Sequence, residues 1–327
     1  MLHHLKVLLR SAAGGALALA ACVVQAQAWP AKPVTMVNPF APGGGVDAFG
    51  RPLSVILSKN LGQQFLVENM AGAGGTVGAT SAAKRSPDGY NFFLGAVHHT
   101  IAESLYTRLP YSLEKDFVPI TVLAYVPNVV VMHPKHANIG SIRELIAYAK
   151  ANPGKLNYGS AGNGTTHHLA GELFKTMAGV NLTHIPYGGA GPMMKDLIGG
   201  QVDMAFDGMS TSAPQIRAGR LKALAVTTTE RSFVDPKVPT MQQAGLPGYV
   251  VATWYALWGI KGTPKEALDA MYRETVKAMQ SEELKKVWEA QGATVGGESP
   301  EVFAKLIHSE IAKWAKVVKD AGAKVDN

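Results

Sequence analysis

Short apolar runs of strand length alternate with longer helical patterns along most of the chain, and this alternation narrows the choice of fold more than any other feature. Strand patterns fall at 34–38, 64–68, 91–96, 128–132, 156–158, 182–185, 204–207 and 221–226. Helical patterns lie between them at 48–61, 76–84, 141–151, 167–178 and 193–199. Strands separated by helices pair in parallel, with the helices covering the sheet faces, so the fold class is α/β. Ser141 suits a helix N-cap, and Glu144 completes a capping box three residues later. Three further helices are expected at 264–280, 281–291 and 300–321, the last with an apolar face of Leu306, Ile307, Ile311, Trp314 and Val318.

So many strands suit two sheets of moderate size better than one. The continuous apolar runs 117–127 and 249–259 read as strands that leave one domain and return to it. The expected division is a discontinuous first domain, 29–124 with 253–327, and a second domain, 125–252. A ligand cleft lies between them, with the crossover strands as its hinge.

The first 28 residues read as an export signal rather than as part of the fold. Lys6 and Arg10 precede an apolar stretch at 11–24, and Ala26-Gln27-Ala28 supplies a cleavage pattern, so the expected location is the periplasm. Leu19-Ala20-Ala21-Cys22 also has the form of a lipoprotein acylation site, which leaves an anchored form open. Cys22 is the single cysteine, and cleavage after Ala28 removes it. Disulfides and thiolate chemistry are then excluded. The net charge of +7 is scattered rather than massed, which argues against a nucleic-acid partner.

Chemistry concentrates at two glycine-rich turns, each between a strand pattern and a helix pattern. They read Pro42-Gly43-Gly44-Gly45-Val46-Asp47 and Gly159-Ser160-Ala161-Gly162-Asn163-Gly164-Thr165-Thr166. Glycine lets backbone N–H groups approach a ligand closely, and a helix N-terminus adds partial positive charge, so two such turns point to a small anion. Asp47 suits capping of its own helix as well as ligand contact. Phe40 offers an apolar wall or core packing. Ser160, Thr165 and Thr166 carry hydroxyls for a carboxylate or for capping. Asp207 ends a strand pattern, where it would fix a hydroxyl or amine on the ligand or cap the following turn.

Other chemistries find less support. A third turn, Gly72-x-Gly74-Gly75-x-x-Gly78, misses the dinucleotide spacing, and no phosphate-loop Gly-Lys-Ser/Thr occurs, so no cofactor is expected. The pairs His98-His99 and His167-His168 put adjacent rings in different directions and lack zinc-site spacing; one lining histidine from each pair is the better reading. A hydrolase triad of Ser160, His167 and Asp207 lacks the Gly-x-Ser-x-Gly elbow.

Ordered motifs span nearly all of the chain after residue 28. They include Trp29-Pro30-x-Lys32-Pro33, Pro42-Gly43-Gly44-Gly45-x-Asp47, Val67-Glu68-Asn69-x-x-Gly72-Ala73-Gly74-Gly75 and Ser86-Pro87-Asp88-Gly89-Tyr90. Lys115-Asp116-Phe117-x-Pro119-Ile120, Tyr158-Gly159-Ser160-Ala161-Gly162-x-Gly164-Thr165, Pro186-Tyr187-x-Gly189 and Gly199-Gly200-Gln201-Val202-Asp203 follow. In this order they resemble the solute-binding proteins of tripartite tricarboxylate transporters, the Bug family of periplasmic receptors. The resemblance implies a type II periplasmic-binding-protein fold and a non-enzymatic, monomeric receptor that passes a small carboxylate to transporter membrane subunits. A sensor of the same fold is the alternative. The implied grip uses backbone amides of Gly43, Gly44 and Gly45 from one domain, and Ala161, Gly162 and Thr165 from the other. With Phe40, Pro42, Val46, Asp47, His98, Ser160, Thr166, Tyr187 and Asp207 these make up the expected ligand-binding set. Val46 stands where the family pattern has Thr or Ser, and Met70-Ala71 where it has Arg-Pro. His98 and His99 fall in the region that lines the distal part of such pockets.

Overall fold

The computed structural model describes residues 29–320, so the export signal and Cys22 lie outside the described residues. The chain opens with strand β1 (Val34–Asn38), helix α1 (Gly45–Leu61), β2 (Phe65–Asn69), α2 (Thr76–Ala83), β3 (Asn91–Ala96) and α3 (His98–Leu105). A long strand, β4 (Phe117–Met132), leads to α4 (Ile142–Ala151), β5 (Asn157–Ser160), α5 (Thr166–Ala178), β6 (Thr183–Pro186), α6 (Ala190–Ile198) and β7 (Met204–Gly208). The chain continues with α7 (Met209–Arg217), β8 (Lys222–Val226), β9 (Ala252–Ile260), α8 (Lys265–Met279), α9 (Glu282–Glu289), β10 (Thr294–Val295) and α10 (Pro300–Asp320).

The strands run in the order β2-β1-β3-β9-β4-β7-β5-β6, with β8 and β10 attached to β4. β2, β1 and β3 are parallel, as are β7, β5 and β6, so each group is one α/β layer of the expected kind. β4 joins the groups. Its residues 117–127 pair antiparallel with β9, and 128–132 pair with β7 and β8. The runs 117–127 and 128–132, read from sequence as separate pieces, are therefore one strand. Register shifts between Pro119 and Thr121, and between Val122 and Ala124, give it local bends.

Two helices were not foreseen. α3 is eight residues long, begins with two histidines and follows β3 after Val97 alone, so no loop signal precedes it. α7 opens on Met209-Ser-Thr-Ser and carries Pro214, residue types that weaken a helical pattern. The amphipathic α10 is as expected: Phe303, Ile307, Trp314 and Val318 are buried. Phe303 stands edge-on to Trp254 at 5.7 Å and meets Trp258 at 5.0 Å, so the final helix seals the crossover strands.

One consequence of this topology positions the site. β1, β3, β5, β6 and β7 each pass, within a few residues, into the first turn of α1, α3, α5, α6 and α7. The loops after β1 and β3 meet the loops after β5 and β6. The Ala41 N–H donates to the Gly188 carbonyl at 3.0 Å, and the Thr166 N–H donates to His98 Nδ1 at 3.1 Å. Ligands of α/β sheets sit at such carboxyl ends.

Candidate ligand-binding site

Along this seam lies a small cavity lined by Phe40, Gly44, Gly45, Val46, His98, Ala161, His167, Ala190 and Tyr255. Its water-accessible space is about 10 Å³, room for a single water with the loops as they stand. Gly45 and Val46, His98, His167 and Ala190 occupy the first turns of α1, α3, α5 and α6. N–H groups in a first turn have no partner inside their helix and carry the positive end of its dipole. No lysine or arginine is among the lining residues. The chemistry on offer is thus anion binding by amides, without a formal counter-charge.

Helix α1 begins three residues earlier than its apolar pattern, so Gly45 and Val46 are helical and Gly44 is the N-cap residue. Gly44 provides no side-chain cap. Asp47 shapes the turn instead. Its Oδ2 accepts from the Gly43 N–H at 2.7 Å, and its Oδ1 accepts from Asn38 Nδ2 at 2.8 Å and Asn69 Nδ2 at 3.2 Å. Arg51 Nε lies 3.2 Å from Oδ2. Both carboxylate oxygens are occupied by the protein, and so is the Gly43 amide. Pro42, Gly43 and Asp47 face a wider groove of about 700 Å³, outside the small cavity. Of the expected first-turn set, Phe40, Gly44, Gly45 and Val46 converge on the cavity, and Pro42, Gly43 and Asp47 do not.

The second turn is braced in the same way. Ser160 Oγ pairs with His184 Nε2 at 2.7 Å and accepts from the Gly162 N–H at 3.1 Å. Thr165 Oγ1 donates to the Gly162 carbonyl at 2.8 Å and accepts from the His168 N–H as the N-cap of α5. Thr166 Oγ1 pairs with Thr253 Oγ1 at 2.7 Å, and Thr253 donates to Asn128 Oδ1 at 2.8 Å. Tyr187 sends its hydroxyl to Asp196 at 2.7 Å. From this group Ala161 lines the cavity, and the hydroxyls hold the loop in shape. Ser160 and His167 do not meet in a triad, because the serine is taken by His184 while His167 lies beside Asp207.

The histidine pairs diverge as their adjacency requires. His98 faces Phe40 edge-on at 5.5 Å and His167 at 5.9 Å. His99 turns into the core against Phe93 at 4.9 Å. Burial pushes the His98 imidazole well below its usual pKa, reinforced by repulsion from His167 and His99. Burial also lowers His167, against an opposing pull from Asp207, and holds His99 at about 4. The cavity histidines are therefore neutral at pH 7.

The family model described as tripartite tricarboxylate transporter family receptor matches residues 50–323. The chain belongs to that family. The solved structure of the periplasmic binding protein BugD is 35% identical and superposes with a TM-score of 0.88, covering 91% of this chain and 100% of BugD. An R. palustris protein solved with adipate gives 0.87 at 37% identity, with 91% and 100% coverage. MatC from Rhodopseudomonas palustris, solved with bound malate, gives 0.84 at 33%, with 89% and 100% coverage. The receptor's α/β architecture is thus that of periplasmic binding proteins. No helix among its described residues is long and apolar enough to cross a membrane.

Three lining residues of this receptor were not in the expected set. Tyr255 lies in the second crossover run, which is buried on both faces and so shows no alternation to mark an inward side chain. Its ring stacks on Phe49 at 5.0 Å, and its hydroxyl lies against Gly45, where a Cβ would come within 2.0 Å. Ala190 has no chemistry to flag it; the signal was Gly189, which with a φ of 156° swings the chain into α6. His167 was foreseen only as one member of a pair. The third glycine turn proves to be a close contact rather than a ligand loop. A Cβ on Gly74, at a φ of 63°, would sit 2.0 Å from the Asn163 carbonyl across the seam.

Proposed function

We propose that this chain is a periplasmic, non-enzymatic, monomeric receptor that captures a small carboxylate and delivers it to the membrane subunits of a tripartite tricarboxylate-type transporter. The observation that carries this reading is the convergence of four helix N-terminal turns on one cation-free cavity. Adipate and malate in the two related structures support the same ligand class. In this reading residues 29–124 with 253–327 form one closing body and 125–252 the other, with β4 and β9 as the hinge. Ligand contacts come from both bodies at once: Phe40, the Gly44 and Gly45 amides, Val46 and His98 on one side, and Ala161 and Ala190 on the other. The closed form is then favoured only when the anion is present.

A thermal-shift screen of the purified protein against a library of carboxylates, sugars and cations tests this. A cognate carboxylate at about 100 times its dissociation constant stabilises by roughly 2.7 kcal/mol. Stabilisation by a sugar or a cation, with no response to any carboxylate, would sink the reading.

A further inference from the structure

Most polar groups along the seam find partners in the protein, but His167 and its neighbour Asp207 lack some of theirs. His167 lines the cavity, is 2% exposed, and makes no hydrogen bond through either ring nitrogen. Its Nδ1 stands 3.4 Å from Asp207 Oδ1, close enough for electrostatic contact but without hydrogen-bond geometry. That carboxylate is fully buried. Its Oδ2 accepts the hydroxyls of Thr211 and Ser212, while Oδ1 has no hydrogen bond. Asn128 Nδ2 and Ser210 Oγ are also buried without hydrogen-bond partners, but neither residue lines the cavity, and Ser210 borders the wider groove. Protein interiors satisfy about nine in ten such atoms, and each failure costs about 1–3 kcal/mol. His167 brings two such atoms on the one ring that reaches the cavity, and they mark a place where a guest supplies a bond.

The chemistry of that guest follows from the wall. With its proton on Nδ1, toward Asp207, the neutral His167 turns the Nε2 lone pair to the cavity, as an acceptor. A carboxylate arriving there would meet a lone pair with a buried acid behind it. A hydroxyl or ammonium would donate to that lone pair. We propose that His167, oriented by Asp207, recognises a hydrogen-bond donor on the ligand, so the receptor selects acids bearing a hydroxyl or ammonium over plain acids of the same skeleton. The amides at Gly44, Gly45 and Ala190 hold the carboxylate, and His167 reads the second group. This selection rests on the carboxylate-receptor reading above and gives Asp207 a positioning role.

Calorimetric titration of the purified protein with matched trios tests it: propionate, lactate and alanine; succinate, malate and aspartate. Within the better-bound trio, a donor-bearing acid binds roughly tenfold or more tighter than its plain parent, because the parent leaves the buried acceptor unpaired. His167→Leu brings that ratio close to one, His167→Gln retains part of it, and Asp207→Asn lowers it. A plain parent that binds as tightly as its donor-bearing partners overturns the proposal, as does a ratio that survives in His167→Leu. The wild-type ratio stands independently of how the variants fold. Carboxylate binding without donor preference removes this selection alone; no carboxylate binding at all removes the receptor reading with it.

Discussion

At the scale of single residues, the site is built by what the side chains do not contribute. Gly45 illustrates this. Its backbone is ordinary for a helix, so conformation does not demand glycine; the Tyr255 hydroxyl does, because it occupies the space of a Cβ. Tyr255 is buried and stacked on Phe49, which leaves it little room to withdraw. Gly45→Ala should therefore destabilise the protein by about 1–3 kcal/mol, an overpacking cost, and displace the amides at the cavity. Urea unfolding measures the first effect, and loss of any carboxylate-induced rise in melting temperature measures the second. An alanine variant with unchanged stability and response would contradict this account. The glycine turn was legible in the sequence as the opening of a helix. The tyrosine that makes one of its glycines obligatory was not, since it arrives from some two hundred positions away along the chain. Asp47 shows the converse: the sequence suggested a local cap, but its carboxylate ties the turn at Gly43 to the ends of β1 and β2 through Asn38 and Asn69.

Among the elements, β4 and β9 carry the connection between the two strand groups, and α5 is fastened to them. Thr166 at the start of α5, Thr253 on β9 and Asn128 on β4 form a buried chain of side-chain hydrogen bonds. Thr253→Val keeps the shape but removes the hydroxyl that both neighbours use, leaving Thr166 Oγ1 and Asn128 Oδ1 short of a partner. The expected loss is about 1–3 kcal/mol, read from the midpoint of denaturant unfolding at an unchanged slope. A change within a few tenths of a kcal/mol would show that water replaces the hydroxyl at no cost. Alternation of strand and helix patterns identified most elements, because each parallel strand is an apolar run bounded by turn residues. It missed α3 and α7 for reasons of length and composition, and it divided β4, whose proline-containing stretch hides the continuity of its pairing.

For the whole molecule, the buried histidines set an acid limit. His98, His99 and His167 have folded-state pKa values below the ordinary value, chiefly through burial, with His99 at about 4. The unfolded chain takes up protons on them near pH 6.5, where the folded protein does not. Their contribution to stability is thus complete above about pH 6.5 and is lost progressively as pH falls toward about 4. Asp203 and Glu172, whose folded-state values are lowered by ion pairing with Lys135 and Lys175 despite burial, lose their contributions further down. Melting temperature should hold steady from about pH 8 to 7 and begin to fall near 6.5. A plateau that persisted to about pH 4.5 would mean that the histidines are not held neutral. One further consequence comes from the placement of β9 between β3 and β4. During synthesis β3 and β4 emerge early, yet the strand that separates them follows only after residues 133–251. Until then both present unpaired edges, and the first strand group stays unfinished while the second has all its own strands. Birth order and assembly order therefore differ in this chain, and the interval between them is when it is most open to mispairing with its neighbours.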